Sequence, residues 1–157
     1  IDGEDISALN RYKIPKIRQK IGMIFQDFKL LNNRTVLENV ALPLRIMGLP
    51  TEVIYNKVNE TLSRVGLKNL YNSYPLELSG GEQQRVCIAR ALVKNPKIIL
   101  ADEPTGNLDP NVSDEILDLL DLFTESGSAV LMSTHNFPLI KPRKKRFIEL
   151  SEGRIID

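Results

Sequence analysis

The sequence predicts an α/β domain in which a doubly wound, mostly parallel sheet is packed between helices. Two short, continuous apolar runs carry this prediction, "KIILA" at 97–101 and "AVLMS" at 129–133. A continuous apolar run is typical of a strand that is buried on both faces, and such strands occur in parallel sheets covered by helices. A helical pattern separates the two runs, and strands that alternate with helices are typical of the α/β class.

The elements before these runs fit the same class. The apolar run "IGMIF" at 21–25 predicts a first buried strand. Residues 51–65 predict a helix that has Thr51 as its N-cap and stops at Gly66. Four apolar positions recur on one face of that helix and are expected in the core: Ile54, Val58, Leu62 and Val65.

The elements after "KIILA" complete the pattern. Pro110 is expected at the first helical position with Asp109 as the cap, and Gly127 is expected to end that helix. Its predicted buried stripe is formed by Ile116, Leu117, Leu120 and Phe123. The tail "RFIELSEGRIID" alternates around "EG" at 152–153 and predicts a hairpin.

Composition excludes several classes of protein. The chain has 157 residues, 42% of them hydrophobic and 26% charged, as in one globular domain with a sizeable core. Its formal net charge of +1 gives no overall field for a nucleic acid partner. Cys87 is the single cysteine, which excludes a disulfide framework and a zinc cluster. No run of about eighteen apolar residues is present, so no membrane-spanning helix is expected.

The stretch "LSGGEQQR" at 78–85 has two interpretations. Ser79 and Glu82 have the spacing of a capping box, which satisfies the first free amides of a helix. A capping box does not need Gly80 and Gly81, and glycine weakens a helix start. Glycines at this position allow a ligand to approach backbone amides at the positive end of the helix dipole. A plain cap and an anion-binding site therefore both remain open.

Polar residues follow the predicted strands. In "IILADEP", Asp102 suits hydrated Mg²⁺, which prefers carboxylate and water oxygens, and Glu103 is placed to polarise a water molecule. The alternative is a helix cap beside a solvated acid. His135, the single histidine, and Gln26 also come just after predicted strands, where a packing role is the alternative. Because ligands bind at the carboxyl ends of parallel strands, these four residues are expected together at that edge.

The run "KPRKKR" at 141–146 is strongly basic. A run of this kind is most often a solvated face. It is also compatible with docking to an anionic membrane surface.

Five motifs occur in order: Gln26 in "IFQ", "LSGGEQQR", "IILADEP", "NLD" with Asp109, and "STH" with His135. Along nearly the whole chain this set resembles the nucleotide-binding domain of ATP-binding-cassette (ABC) ATPases, which belong to the P-loop NTPase class. The resemblance implies one partial ABC ATPase domain over residues 1–157, with a helical subdomain at about 28–95. It also implies ATP and Mg²⁺ as the bound cofactors.

In this family two domains pack head to tail, and the signature stretch of one closes over ATP held by the other. The resemblance therefore implies a homodimer in which four signature residues contact the partner's ATP: Ser79, Gly80, Gly81 and Glu82. Asp109 is implied to lie across the seam between the two domains.

The remaining motif residues are implied to serve the ATP of their own domain. Gln26 contacts Mg²⁺ and the water and senses the membrane partner, and Asp102 supports Mg²⁺. Glu103 is the catalytic base, and His135 contacts the γ-phosphate. The implied catalysis is electrostatic, since backbone amides and the metal stabilise the negative charge on the phosphoryl group that is transferred.

The sequence departs from the family pattern in one respect. The phosphate loop Gly-x-x-x-x-Gly-Lys-Ser/Thr (Walker A) is expected before "IDGEDIS", yet no Gly-Lys pair occurs in the chain. The domain is therefore expected to be truncated at its N-terminus. We predict that this chain alone neither binds nor hydrolyses ATP, whereas a protein that also carries the loop does both.

The stretch "FQDFKLLNNRTVLENVALPLRIMG" at 25–48 narrows the type of ATPase. Together with "LADEPTGNLDP" it is similar to the bacterial cell-division type, whose membrane partner is FtsX and whose ATP turnover controls cell-wall hydrolysis. This implies a peripheral position on the cytoplasmic face of the inner membrane. The lipoprotein-releasing (LolD) and macrolide-exporting (MacB) types share "ADEPTGNLD" and remain alternatives.

Two other classes of function are compatible with parts of the sequence. DNA-repair and chromosome-structure ATPases share the signature but insert a long coiled coil, and the interval 28–77 is short and lacks heptads. No nucleic acid partner is therefore expected. The second class is a non-catalytic interaction module. Because the phosphate loop is missing, the chain as given would supply only its signature stretch to ATP held by a partner subunit.

Overall fold

A computed structural model describes residues 1, 3, 5–7 and 10–156. Its centre is a parallel sheet of three strands in the order β1 (Ile21–Ile24), β2 (Ile98–Asp102) and β3 (Ala129–Ser133). The register brings Met23, Leu100 and Leu131 side by side across the sheet. Because all three strands run in the same direction, their carboxyl ends lie at one edge.

Helices occupy much of the sequence between the strands. They are α1 (Ile14–Lys20), α2 (Val36–Ile46), α3 (Thr51–Arg64), α4 (Gly80–Leu92), α5 (Pro110–Glu125) and α6 (Phe137–Ile140). Single turns of 3₁₀ helix cover Pro75–Glu77 and Lys141–Arg143, and β4 (Glu149–Ser151) pairs antiparallel with β5 (Arg154–Ile156). The predicted combination of helices and a parallel sheet is confirmed. None of the helices in the described ranges has the length and apolar character needed to cross a bilayer.

One buried core joins the helices to one face of the sheet. Helix α2 packs on α3 and α4, and α4 also packs on β1 and α5. All predicted core positions of α3 and α5 are buried, and Leu119 of α5 joins them. The helical period of the apolar residues therefore predicted these buried faces correctly.

The opposite face of the sheet is more open in the described part of the chain, which corrects one prediction. The sequence predicts a fully buried β3, and this is wrong: the strand alternates between exposed and half-buried residues, with Leu131 58% exposed. In β2, Ile99 and Ala101 are buried while Leu100 is only half-buried. An apolar run has the same sequence whether one face or both faces of the strand are covered. The run alone therefore cannot predict whether the second face of β3 is buried.

Several element boundaries also differ from the prediction. Thr51 is the first residue of α3 and Pro50 occupies the N-cap position, so the prediction of a threonine cap is wrong. Gly66 follows the helix with a φ of +77°, as expected of a glycine stop. Glu152 and Gly153 both have positive φ angles between β4 and β5, which confirms the predicted hairpin turn.

Candidate active site

The carboxyl edge of the sheet carries the first polar contact of the site. Asp102 ends β2, Ser133 ends β3, and the two residues are paired in the parallel register. The Ser133 hydroxyl donates a hydrogen bond of 2.7 Å to Asp102 Oδ1. This bond orients one carboxylate oxygen, while the aspartate as a whole remains exposed.

Glu103 and His135 meet at the same edge. Nδ1 of the histidine lies 2.8 Å from Oε1 of the glutamate. The side chain of Glu103 is 19% exposed and that of His135 is 79% exposed. The second oxygen, Oε2 of Glu103, is buried and accepts no hydrogen bond from any residue in the described ranges. Two predicted site residues, 32 positions apart in the chain, are therefore in direct contact.

The backbone of Glu103 adopts a strained conformation. Its φ of +45° lies in the left-handed region, where a non-glycine residue is destabilised by about 1–3 kcal/mol. The following Pro104 restricts this backbone further. Two hydrogen bonds hold the turn: Glu103 N donates to Ser133 O over 3.1 Å, and Gly106 N donates to Glu103 O over 3.0 Å. Neighbouring groups therefore fix the turn that carries the carboxylate.

Gln26 lies two residues beyond β1 and packs against the turn that follows Glu103. Its carbonyl accepts a hydrogen bond of 3.3 Å from Asn107 Nδ2. Its side-chain nitrogen Nε2 would lie only 3.0 Å from a Cβ atom at Gly106. A side chain at position 106 would push the glutamine away, so Gly106 helps to define where Gln26 lies.

The turn after Gln26 is held by helix α4. Phe28 and Lys29 both have positive φ angles, of 59° and 49°. The guanidinium of Arg90 in α4 donates to their carbonyls, over 2.7 Å to Phe28 and over 2.6 Å to Lys29. Helix α4 therefore supports the loop that carries one of the predicted site residues.

The start of α4 forms the capping box that the sequence predicts. Glu82 N donates to Ser79 Oγ over 3.4 Å, while Ser79 N and Ser79 Oγ donate to Glu82 Oε2 over 2.8 and 2.7 Å. The bonds from the Ser79 hydroxyl and amide lower the pKa of the Glu82 carboxyl below its ordinary value. The cap interpretation is confirmed, and anion binding at the same helix start stays a prediction.

The two glycines of this stretch face the start of α5. A Cβ atom at Gly81 would lie 2.7 Å from Cγ1 of Val112, closer than packed atoms allow, whereas one at Gly80 would meet Leu108 at an ordinary 3.5 Å. Packing against Val112 therefore explains why position 81 has no side chain, but packing does not explain the glycine at position 80. Asp109 caps α5 as predicted, by accepting from backbone amides that include that of Val112 over 3.1 Å, and so lies next to these contacts.

Asp102 and Gln26 are the predicted metal ligands at the sheet edge. The described residues contain no group of three or more histidine, cysteine, aspartate or glutamate side chains that could hold a metal ion. Mg²⁺ in phosphate sites typically takes one or two carboxylates and completes its shell with phosphate and water oxygens. One exposed carboxylate with an oriented oxygen fits that pattern, and it does not fit a cage built from protein alone.

The basic run at 141–146 is exposed except at Arg143. Arg143 is 16% exposed and binds three carboxylates over 2.8–3.3 Å. These belong to α5 and are those of Asp114, Asp118 and Asp121. Lys145 also binds α5, over 2.9 Å. The run is therefore a largely solvated face, as expected, and Arg143 is the exception that ties the segment after His135 to α5.

Sequence reasoning missed three residues that support the site. Ser133 and Gly106 each hold a predicted site residue, one by a hydrogen bond and the other by lacking a side chain. Gln84, inside "QQR", is buried and binds the turn after Glu103. The available signal for Gln84 was a polar residue among the apolar positions of α4. Ser133 lies in "STH" beside His135, but no spacing rule predicts its bond to Asp102, 31 positions earlier.

The acid–histidine pair lies at the carboxyl edge of a parallel sheet, where α/β domains bind their ligands. This places the chain in the class of α/β domains with a ligand site at that edge. The family model described as "ABC transporter" matches residues 1–106. The chain belongs to this family, and its fold is the P-loop NTPase-like α/β fold of ABC ATPase cassettes.

Individual relatives agree with the family. The chain is 49% identical over 151 residues to the cell division ATP-binding protein FtsE of Mycobacterium tuberculosis, covering 96% of this chain and 66% of that protein. The structure of CbiO1 from Clostridium perfringens, part of an ABC transporter complex, shares 34% identity and a TM-score of 0.85 over 94% of this chain and 59% of that one.

The ATP-binding cassette MJ0796, solved as a dimer bound to ADP and Pi, shares 41% identity and a TM-score of 0.76. That match covers 88% of this chain and 62% of the MJ0796 chain. The present chain therefore spans about two thirds of the length of its relatives.

Proposed function

We propose that this chain is the larger part of the ATP-hydrolysing subunit of an ABC-type membrane complex of the FtsE cell-division type. The observation that carries the proposal is the pair at the sheet edge. Glu103 has one oxygen against His135 and the other buried without a partner among the described residues. Identities of 44–49% to relatives named FtsE support the type.

Glu103 is suited to act as the general base. His135 engages Oε1, and Oε2 has no partner among the described residues. Because Oε2 is buried, the water molecule that it accepts from is proposed to be one enclosed in the site with the nucleotide and not one from bulk solvent. The contact with His135 and the held turn fix the direction of the carboxylate, and positioning is a large part of what a base contributes. Because Nδ1 of His135 faces the glutamate, Nε2 is the ring nitrogen left for a phosphate oxygen, and it donates to that oxygen when the ring carries both protons.

Asp102 and Gln26 are proposed to hold Mg²⁺ together with the phosphates of ATP. When bound, the ion stabilises the negative charge that develops on the phosphoryl oxygens. Ser133 keeps one oxygen of Asp102 oriented, and Gly106 leaves the space in which Gln26 lies against the turn after Glu103.

The signature is proposed to contact the ATP of a second, identical subunit packed head to tail. Its residues are Ser79, Gly80, Gly81 and Glu82, with Asp109 at the seam. Gly80 is exposed at the first position of α4, where backbone amides and the positive end of the helix dipole favour an anion. The dimer of MJ0796 bound to ADP and Pi supports this assignment.

A working site also needs a phosphate loop, which these 157 residues do not contain. We define the completed protein as these residues joined to the phosphate-loop segment that precedes them in the family pattern. The completed protein is inferred to bind and hydrolyse ATP, and the 157-residue chain alone to do neither. An ATP titration of the chain alone tests this inference, and tight binding would overturn it.

The proposed partner is an integral membrane subunit of the FtsX type. The ATPase would then lie peripherally on the cytoplasmic face of the inner membrane, and its turnover would control cell-wall remodelling at division. The resemblance of residues 25–48 to the cell-division type supports this assignment. No nucleic acid partner is proposed, since the net charge of +1 provides no attractive field.

Complementation tests the cell-division assignment against its close alternatives. The completed protein is expressed in bacteria depleted of FtsE, in bacteria depleted of LolD, and in bacteria lacking MacB. We expect it to restore division alone, and we expect Glu103→Gln to abolish the rescue. Rescue of lipoprotein release or macrolide export instead would favour those types. Absence of any rescue together with absence of ATP turnover in vitro would overturn the proposal.

A non-catalytic role is the second candidate, and the observation behind it is the exposed signature start at Gly80. In this case the chain supplies only its signature face to ATP held by a partner. The test is to mix the 157-residue chain with an intact ATPase subunit whose own signature is disabled. Restored hydrolysis would support the role in trans, and unchanged inactivity would exclude it.

A further inference from the structure

Gln84 joins the signature helix to the turn that carries Glu103. Its side chain is completely buried in the second turn of α4. Its Nε2 atom donates a hydrogen bond of 2.6 Å to the carbonyl of Pro104, 20 positions later in the chain. Because a carbonyl oxygen only accepts, the amide nitrogen must face Pro104, and Oε1 faces elsewhere.

Stability of the core does not explain an amide at this position. Oε1 of Gln84 is buried and accepts no hydrogen bond from the residues that the structure describes. A buried acceptor without a partner is unfavourable, and an apolar side chain of similar volume would avoid it. The bond to Pro104 is therefore what distinguishes Gln84 from an ordinary packing residue.

Pro104 is the point at which α4 holds the strained turn. Glu103 has a φ of +45° and precedes a proline, so its backbone would relax if its neighbours did not hold it. Strand β3 holds the turn through the bond from Glu103 N to Ser133 O. From α4, Gln84 holds the same turn by its bond to the carbonyl of Pro104, one residue after Glu103.

We propose that Gln84 is a positioning residue for Glu103. Through its bond to Pro104, Gln84 sets the direction of the Glu103 carboxylate according to the position of the signature helix α4. This inference rests on the proposed function. There the signature contacts the ATP of the second subunit, while Glu103 acts on the ATP of its own subunit. The bond from Gln84 to Pro104 therefore couples the two nucleotide sites of the dimer through a single chain.

The test is Gln84→Met in the completed protein, which removes the donor and the unpartnered acceptor and nearly keeps the volume. We expect kcat for ATP to fall about tenfold or more, because small displacements of a catalytic group have effects of this size, while KM changes less than about twofold. The Hill coefficient for ATP is expected to fall toward one, because binding at one site no longer adjusts the other. The melting temperature is expected to stay within about 2 °C of wild type.

A second variant and a second measurement keep the test independent of folding. Gln84→Glu keeps the shape but turns a carboxylate oxygen toward the Pro104 carbonyl, so kcat is expected to fall further than with methionine. Hydrogen exchange of the Gly106 amide, which is bonded to the Glu103 carbonyl, is expected to be faster in both variants.

Val58, a buried residue of α3, provides the control for stability alone. Val58→Ala leaves a cavity and lowers the melting temperature, but it is expected to keep the Hill coefficient and the exchange rate at Gly106. The inference is overturned if Gln84→Met keeps the wild-type kcat and Hill coefficient. It is also overturned if that variant lowers kcat only in step with its melting temperature. A completed wild-type protein without ATP turnover would overturn the proposed function itself.

Discussion

The carboxyl edge of the sheet and the start of helix α4 hold their polar groups in different ways. At α4, the bonds of the capping box join Ser79 to Glu82, three residues apart. At the sheet edge, the bonds join residues that are 31 and 32 positions apart in the chain. The first arrangement forms together with its own helix, whereas the second exists only when β2 and β3 are paired.

This difference separates the roles of the two regions. The capping box stabilises α4 and leaves an exposed glycine at the helix start, where a ligand from outside the chain can approach. The sheet edge builds a directed carboxylate from two separate strands. Substitutions at the sheet edge should therefore change chemistry, and substitutions around the start of α4 should change stability and contacts between subunits.

The largest effect is expected at the sheet edge. Glu103→Gln in the completed protein removes the base and keeps the shape, so kcat should fall about 10²–10⁴-fold with little change in KM for ATP. Steady-state ATP turnover measures both constants. Glu125→Gln, at the exposed end of α5, is the matched control and should keep the wild-type kcat. A loss smaller than about tenfold would contradict the role of Glu103.

The two glycines at the start of α4 should differ in their effect on stability. Gly81→Ala places a Cβ atom 2.7 Å from Val112 and should lower the free energy of unfolding by about 1–3 kcal/mol. Gly80→Ala meets Leu108 only at 3.5 Å and should raise it by about 0.5–1 kcal/mol, because alanine favours a helix. Urea denaturation of the completed protein measures both. Equal stabilities would show that α5 does not press on Gly81.

A smaller effect is expected where the segment after His135 meets α5. Arg143→Met should lower the free energy of unfolding by about 1–2 kcal/mol, since the arginine is mostly buried while its carboxylate partners are more exposed. The loss should shrink at high salt, which thermal melts at two salt concentrations would reveal. Arg146→Met, at an exposed position, should change stability by less than about 0.5 kcal/mol. Equal losses from the two variants would contradict the assignment.

The smallest effect is expected from protonation of the capping box. Because bonds from Ser79 lower the pKa of Glu82, the carboxylate stabilises the folded state above the ordinary carboxyl pKa, and this contribution is lost as the pH falls through the lowered folded value. The stability difference between wild type and Glu82→Gln should be present at neutral pH and should disappear as the pH falls through the lowered folded value. Urea titrations across this range measure it. In a Ser79→Ala background the pH-dependent part should shrink, because the bond from the hydroxyl is lost while the bond from the backbone amide of residue 79 remains. An unchanged pH dependence in that background would point to another cause.

The same division between local and distant contacts decides what the sequence could predict. The buried faces of α3 and α5 and the capping box were predicted correctly, because each depends on spacing within one helix. The exposure of β3 was predicted wrongly, because it depends on what covers the strand. The contact between Gln84 and Pro104 was not predicted, because it depends on how α4 meets the end of β2.

The central claim is that the two regions of one chain serve two different nucleotides. Mixed dimers of the completed protein test it, with Glu103→Gln in one subunit and Gly80→Asp, which puts a carboxylate into the signature, in the other. Each variant alone should lack turnover, because both sites of its homodimer are defective. The mixed dimer should contain one site in which an intact Glu103 meets an intact signature.

ATP turnover by the purified mixed dimer is therefore the most direct measurement. We expect turnover well above that of either parent homodimer, because the intact halves come from opposite subunits. A mixed dimer that forms but remains as inactive as both parents would contradict it, since Glu103 and the signature of one chain would then act on the same ATP.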